Sequence, residues 1–404
     1  MAQSEQFQPD QDLLDKYAQV LVNYALNSGE GVKSGEVVLC QVPDVAKPLA
    51  LTLQNRLLQA GAQPIIRLLP TGFAKDFYQL AGEEQRTFFP RQLLRAQTKL
   101  IDHQIGIIAE PDPHELSQTE PEKIIQALAS KKAYRDWLNQ KENQGRFTWT
   151  AALWGTAAKA QEVGLSLADY WQQIVQACFL DETDPVAKWR AVQSLQQEIK
   201  ARLNALKIDY VEVKGQDVDL KVGIGADRVW KGGGGRNIPS FEIFTSPDWR
   251  QVEGRVRFNQ PLYRYGNLIK GVELQIKEGL VVKAQAETGN QLLQAMLKTK
   301  NANKIGEFSL TDKRMSRISH VMAETLFDEN IGGPFGNTHL AIGMAYQDCY
   351  RGDPNTLTKK DWRAKGFNDS SEHTDIISTT DRQVTAHLTD GTKLLIYRDG
   401  QFVI

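Results

Sequence analysis

Residues 37–68 read VVLCQVPDVAKPLALTLQNRLLQAGAQPIIRL, and this stretch decides the class of the first half of the chain. Val37, Val38, Leu39 and Cys40 form a short apolar run of the length a buried strand needs. Ala46, Leu49, Leu53 and Leu57 then recur at helical spacing, and Gly61 stands where a left-handed helix cap would sit. Pro64, Ile65, Ile66, Arg67 and Leu68 supply a second strand. Strand, helix and strand in that order imply a parallel sheet with helical cover, an α/β arrangement. Working outward, Leu14, Tyr17, Ala18, Leu21, Val22 and Ala25 fit an earlier helix over 11–26. The apolar runs at 105–108 and 151–154 fit further buried strands, and 157–206 reads as mainly helical.

Near residue 208 the texture changes. Val218, Leu220 and Val222 alternate with charged residues, as in a half-exposed strand, and Val272, Leu274 and Ile276 do the same. Glu278 and Gly279 can turn the chain into Leu280, Val281 and Val282. Asp390-Gly391 and Asp399-Gly400 are hairpin signals between strand-like runs. The expected organisation is an α/β, helix-rich domain over 1–207. An α+β domain with a mixed, largely antiparallel sheet is expected over 208–404.

Composition narrows the partners. The 404 residues carry 48 basic and 49 acidic side chains, a formal net charge of −1. That lacks the basic surplus of a nucleic-acid binder, so no nucleic-acid partner is expected. No apolar run approaches the roughly 20 residues that span a bilayer. The N-terminus, MAQSEQFQPDQDLLDKY, lacks the basic-then-apolar order of a signal peptide. Cys40, Cys178 and Cys349 are widely spaced and odd in number, which suits reduced thiols in a cytoplasmic protein. Neither membrane attachment nor export is expected.

Chemistry concentrates in the second half. Among six histidines, His339 and His373 keep unusual company. The segment 325–330, carrying the acidic pair Asp328 and Glu329, leads through a Gly-rich loop, IGGPFGNT, to His339 and then Tyr346. Ile318, Val321, Met322 and Leu326 suggest an amphipathic helix just before it. The alternative reading makes Glu329 a solvated loop carboxylate and His339 a hydrogen-bonded core residue. His373, Thr374 and Asp375 place an imidazole and a carboxylate on one strand face, about 7 Å apart at the backbone; alone, such a pair is as readily a surface ion pair. Glu242 stands among Phe241, Ile243 and Phe244, where a buried carboxylate would need a metal or a base and an edge strand could instead turn it outward. The glycines at 232–235 lack the Lys-Ser/Thr of a phosphate loop and read as a mobile loop leading into the Glu242 strand. Mixed imidazole and carboxylate donors suit zinc, cobalt, manganese or magnesium better than thiolate sets do. Two such ions, sharing a bridging carboxylate, can activate a water for hydrolysis.

The blocks NIPSFEIFTSP, IGEFSL, TLFDEN with HLAIGMAY, and NDSSEHTDI resemble the signature segments of the aminopeptidase T and aminopeptidase S family of metallopeptidases, in the family's order and over nearly the whole chain. The resemblance implies a two-metal aminopeptidase acting on short peptides, as a homodimer, with the N-terminal domain restricting access. It implies Glu242, Glu307, Glu329, His339, His373 and Asp375 as metal ligands, with Glu307 bridging. Glu307 or Glu329 would be the general base, and Tyr346 would donate to the developing oxyanion. Glu307 is chosen by the resemblance alone, since IGEFSL reads as a plain strand start. The loop between Asn330 and His339 is longer than in many members, and its Gly and Pro content is expected to fold the extra length outward. Another two-metal hydrolase, acting on a phosphoester or a small amide, or a non-catalytic metal binder of the same fold, would use a similar ligand inventory.

Overall fold

The computed structural model describes residues 7–225 and 227–404; the first six residues of the N-terminal stretch read above lie outside it. Strands β1 (Val37–Pro43), β2 (Gln63–Leu69), β3 (His103–Ile108) and β4 (Thr148–Leu153) pair in parallel. Helix Lys47–Gln59 crosses between β1 and β2 and buries Leu49, Leu53 and Leu57. Gly61 closes it at φ +76, the left-handed conformation a helix end requires and glycine tolerates. The first half is thus α/β, and three helices fill most of 157–206: Ala157–Glu162, Leu167–Ala177 and Pro185–Ala205.

The chain continues into β5 (Ile208–Gly215) and β6 (Val218–Gly223), an antiparallel hairpin. It then returns as β7 (Asn237–Ile238) to pair with β4, so a segment of the second half completes the parallel sheet, ordered β2-β1-β3-β4-β7. The remaining strands follow as β8 (Glu242–Thr245), β9 (Val252–Arg257), β10 (Leu262–Arg264), β11 (Asn267–Ile269), β12 (Glu273–Lys277), β13 (Leu280–Gln285), β14 (Ile305–Thr311), β15 (Asn337–Gly343), β16 (His373–Ser378), β17 (Arg382–Leu388), β18 (Lys393–Arg398) and β19 (Gln401–Phe402). An eight-stranded sheet runs β13-β12-β9-β6-β5-β17-β18-β19, and a four-stranded one β16-β15-β14-β8. Both are antiparallel throughout, and Glu278-Gly279, Asp390-Gly391 and Asp399-Gly400 sit at their hairpin turns. One continuous apolar core links the parallel sheet to the antiparallel ones. No helix among the described residues is long and apolar enough to cross a membrane. All three cysteines are buried and unpaired.

One expected element is absent. Residues 315–324 form no helix, and only the single turn Thr325–Asp328 precedes Glu329. The backbone groups here find tertiary partners in place of a helical ladder. The Asp328 carboxylate accepts from Met322 N and Glu324 N. Tyr170 Oη donates to Met322 O and Lys159 Nζ to Ala323 O. Ala323 itself lies at φ 52, which no α-helix accommodates. Ile318, Met322 and Leu326 are buried, so their spacing reported core contact and not helical period.

Candidate metal centre

The four-stranded sheet presents one face crowded with ionisable groups. Antiparallel register sets Glu307 opposite Ala341, and Ala341 opposite Asp375. Residues two apart on a strand share a face, which adds His339 beside Ala341 and His373 beside Asp375. Ser309 lies opposite both His339 and Phe244, and Glu242 follows two residues before Phe244 on β8. Ala341, with its single methyl, leaves space at the middle of this grid. A register shift at Gly306 turns Glu307 into it, as a bulge beside a functional group does. A Cβ on Gly306 would lie 2.1 Å from Met344 O, so no other residue fits there. Glu329 arrives from outside the sheet, at the end of the turn Thr325–Asp328.

The side chains meet. His339 Nε2 is 3.1 Å from Glu307 Oε1, 3.3 Å from Glu242 Oε2 and 3.8 Å from Asp375 Oδ1. His373 Nε2 is 3.4 Å from Asp375 Oδ1 and 3.6 Å from Glu307 Oε2. Three groups bring one donor atom each within 4.8 Å of the others: Glu242, Glu307 and His339; Glu307, His373 and Asp375; Glu329, His339 and Asp375. All six residues picked out in the sequence therefore converge. The loop between Asn330 and His339 does not separate them: its tip at 333–335 is exposed while Glu329 and His339 remain in one group.

The electrostatics of this cluster fit a cation. Glu242, Glu307, Glu329 and His339 are all buried. Even with both imidazoles protonated, four carboxylates exceed them by two charges, and buried charge without a partner is costly. The neighbouring arginines are already engaged, Arg236 by Glu142 and Asp348 and Arg264 by Glu372. Burial pushes the Glu307 carboxyl up to about 7, with Glu242 and Asp375 adding repulsion against the hydrogen bond from His339. Burial, then Glu242 and Asp375, hold Glu329 well above the carboxylate range. Burial opposes protonation of both imidazoles, yet Glu242 and Glu307 raise His339 well above its ordinary value, and Asp375 raises His373 to about 9. Asp375 is lowered: burial disfavours its charge, and the His373 cation outweighs burial. Asp375 Oδ1 and His339 Nδ1 are buried and have no hydrogen-bond partner among the described residues. His373 Nδ1 lies 2.8 Å from Met344 O, so in the neutral ring Nδ1–H donates there and the Nε2 lone pair faces the cluster.

Comparison with known proteins decides the family. The profile of the thermophilic metalloprotease (M29) family matches residues 10–402. The chain belongs to the M29 family. Aminopeptidase T of Thermus thermophilus is 29% identical over 97% of this chain and 98% of its own. Aminopeptidase 2 of Geobacillus stearothermophilus is 28% identical over 96% and 97%. The solved structure described as wild-type AmpT from Thermus thermophilus superposes with a TM-score of 0.82 at 27% identity, covering 97% of this chain and 99% of that one. The α/β first half and largely antiparallel second half are thus those of an M29 fold.

In this M29 chain several further side chains support the cluster. Ser309 Oγ donates to Glu242 Oε2 at 3.2 Å, and Asn237 Nδ2 to Glu329 Oε1 at 3.2 Å. Asn330 Oδ1 accepts from Phe241 N at 2.6 Å, which fixes the turn after Glu329 against the strand that carries Glu242. Tyr265 Oη and Arg264 converge on Glu372, next to His373. Asn237 opens one of the quoted blocks and Ser309 sits in another; the pairing of Arg264 with Glu372 had no local signal. Tyr346 packs its ring edge-on to His373, centroids 5.0 Å apart. Burial, then the Glu307 and Asp375 charges, hold its hydroxyl well above the usual phenol range, so it stays a donor.

Proposed function

We propose that this chain is a metal-dependent aminopeptidase that removes N-terminal residues from short peptides, with two divalent ions held by Glu242, Glu307, Glu329, His339, His373 and Asp375. The observation that carries the reading is Glu307. Its Oε1 faces His339 and its Oε2 faces His373, so one carboxylate would serve both halves of the donor set. Relatives bearing the name aminopeptidase over almost their full length give the reaction class. Zinc, cobalt, manganese or magnesium fits the oxygen-rich donor set.

Ions bound there would supply Lewis acidity for the scissile carbonyl and would lower the pKa of a water enough for attack near neutral pH. The chain's own groups do the rest. Glu307 or Glu329 accepts the water's proton and returns it to the leaving amine, the shuttle that general acid–base work requires. Glu329 is the less encumbered of the two: among the described residues, Asn237 alone hydrogen-bonds its carboxylate. Tyr346, a neutral phenol at the cavity wall, donates to the oxyanion as it forms. An ion or a carboxylate not taken up in ligation would read the free α-amine, which favours the first peptide bond over internal ones.

Substrate reaches the cluster through a cavity of about 890 Å³. Its walls include Phe147, Trp149 and Gln193 from the first 207 residues and Glu242, Glu307 and His373 from the remainder. That shared lining supports an access-restricting role for the N-terminal domain, within a division at about 207. Cytoplasmic residence suits the three unpaired thiols. A homodimer suits the exposed Phe73, Phe77, Leu80, Phe88 and Leu93, which need cover, and light scattering should return twice the chain mass. The near-neutral charge supports no nucleic-acid partner.

The test is metal restoration. Chelator-treated enzyme should release no leucine from Leu-Gly-Gly, and refilling with zinc, cobalt, manganese or magnesium should restore release. N-acetyl-Leu-Gly-Gly should resist cleavage. Full activity after exhaustive chelation, or equal cleavage of the acetylated peptide, contradicts the reading.

A further inference from the structure

The cavity that holds the acidic cluster also has a basic wall. Helix Pro185–Ala205 turns one face toward the cavity, where Gln193, Gln197 and Lys200 line it. The backbone at 230–232 runs along this face and is pinned to it. Asn204 Nδ2 donates to Trp230 O, and Trp230 N donates to Asn204 Oδ1. Lys200 Nζ donates to Gly232 O. Gln196 Nε2 donates to Ser240 O and Glu242 O, tying the same helix to the strand that carries a cluster carboxylate. Lys231 also lines the cavity and pairs by its backbone with Phe244. Arg351 joins at the C-terminal end of this helix, its Nη2 donating to Asn204 O and Arg228 O.

These three cations differ from the other basic residues of the cavity in one respect. Arg236 is matched by Glu142 and Asp348, and Lys33 by Glu30. Among the described residues no carboxylate lies in ion-pair contact with Lys200, Lys231 or Arg351. Burial and the neighbouring Lys231 charge push Lys200 down to about 8, as happens to an ammonium gathered beside another cation without a compensating anion. Lys200 uses one of its three N–H donors on Gly232 O, which leaves two to offer. Its ammonium is held in place before any ligand arrives, so little is lost in ordering it. Gly232 is required for this: a Cβ there would sit 2.2 Å from Glu242 O, so the 231–232 backbone could not lie so close to β8.

We propose that Lys200, Lys231 and Arg351 form a carboxylate-binding wall that selects free short peptides by their C-terminal carboxylate. The inference rests on the aminopeptidase reading and deepens it. A free peptide carries a cation at its first residue and an anion at its last. The cavity carries the candidate metal centre, where the first residue is processed, at one wall and unmatched cations, suited to the last residue's carboxylate, at another. A longer chain, or one with a blocked C-terminus, loses the second attraction, so specificity for small peptides arises from charge as well as from space.

The experiment compares Leu-Gly-Gly with Leu-Gly-Gly-amide on the metal-loaded enzyme by kcat/KM. Wild-type enzyme should prefer the free acid by about tenfold or more, the scale of a hydrogen-bonded charge. Lys200→Met, Lys231→Met and Arg351→Gln should each reduce that acid-to-amide ratio, and the Lys200→Met/Lys231→Met pair should bring it near one. Should Lys200→Met fail to fold, as judged by circular dichroism, the ratio for Lys231→Met and Arg351→Gln decides. Brisk cleavage of both peptides at equal rates by wild type overturns this inference and leaves the aminopeptidase reading standing. A ratio that survives all the substitutions overturns it likewise. No cleavage of either peptide removes the aminopeptidase reading and this inference together.

Discussion

Along β6 burial alternates, with Val218, Leu220 and Val222 inside and Asp219 and Lys221 outside. Along β14 all seven residues are buried, Glu307 among them, and β15 is likewise buried from end to end with His339 in its middle. Both sheets are antiparallel, so the contrast is not one of topology. The eight-stranded sheet follows the rule that one face meets the core and the other meets water. The four-stranded sheet is covered on both faces and keeps charge inside, where an unpaired carboxylate costs several kcal/mol. One sheet is arranged to fold, and the other gives up stability to gather the imidazole and carboxylate cluster proposed above as a ligand set. Departures from local consistency of this kind are expected at functional sites.

The comparison breaks most visibly at Glu307. Glu307→Ala removes a carboxylate from two of the three proposed ligand groups. It should lower kcat/KM by well over the roughly 100-fold attributed to loss of an outer partner of a ligand set, with an unchanged circular dichroism spectrum; activity within tenfold of wild type would remove the assignment. Next is Ser309→Ala, which deletes the donor to Glu242 Oε2. Metal affinity, read by competition with a chromogenic chelator, should fall by about 10–100-fold.

The control lies in the other sheet. Leu220→Ala should cost about 2–5 kcal/mol of stability, seen as a lower denaturation midpoint, while turnover per folded molecule stays at the wild-type value. If turnover falls as well, the two sheets are not separable in the way described.

The smallest effect is a drift with pH in the metal-free protein. Glu307 is raised to about 7 and His373 to about 9, both above their unfolded values, so the folded state binds protons more tightly than the unfolded one. That stabilisation is complete below the unfolded pKa of each group and is lost as pH rises through the folded one. The melting temperature of metal-free enzyme should therefore decline from about pH 4.5 to about pH 9. Zinc should reverse the decline, because ligation needs the deprotonated groups. A rising profile without metal would contradict the assigned protonation.

Much of this architecture is legible in the sequence. The parallel sheet followed from 37–68, and the hairpins of the second half from alternation and Asp-Gly turns. Glu242 stood out as a charge in an apolar run. Glu307 did not: a strand buried on both faces has no alternation for a carboxylate to violate, and only resemblance to known blocks selected it. The reading of 318–326 as a helix failed for the opposite reason. Apolar spacing records burial, and here burial is shared with backbone groups captured by Asp328, Tyr170 and Lys159. The basic wall escaped because Lys200, Lys231 and Arg351 lie far apart in the chain and meet only when helix Pro185–Ala205 packs along 230–232.

The most direct measurement is anomalous scattering from crystals soaked in zinc or manganese. Two peaks should appear within the cage of Glu242, Glu307, Glu329, His339, His373 and Asp375, with Glu307 between them. A featureless map at that position, or ions bound only elsewhere on the molecule, would contradict the account.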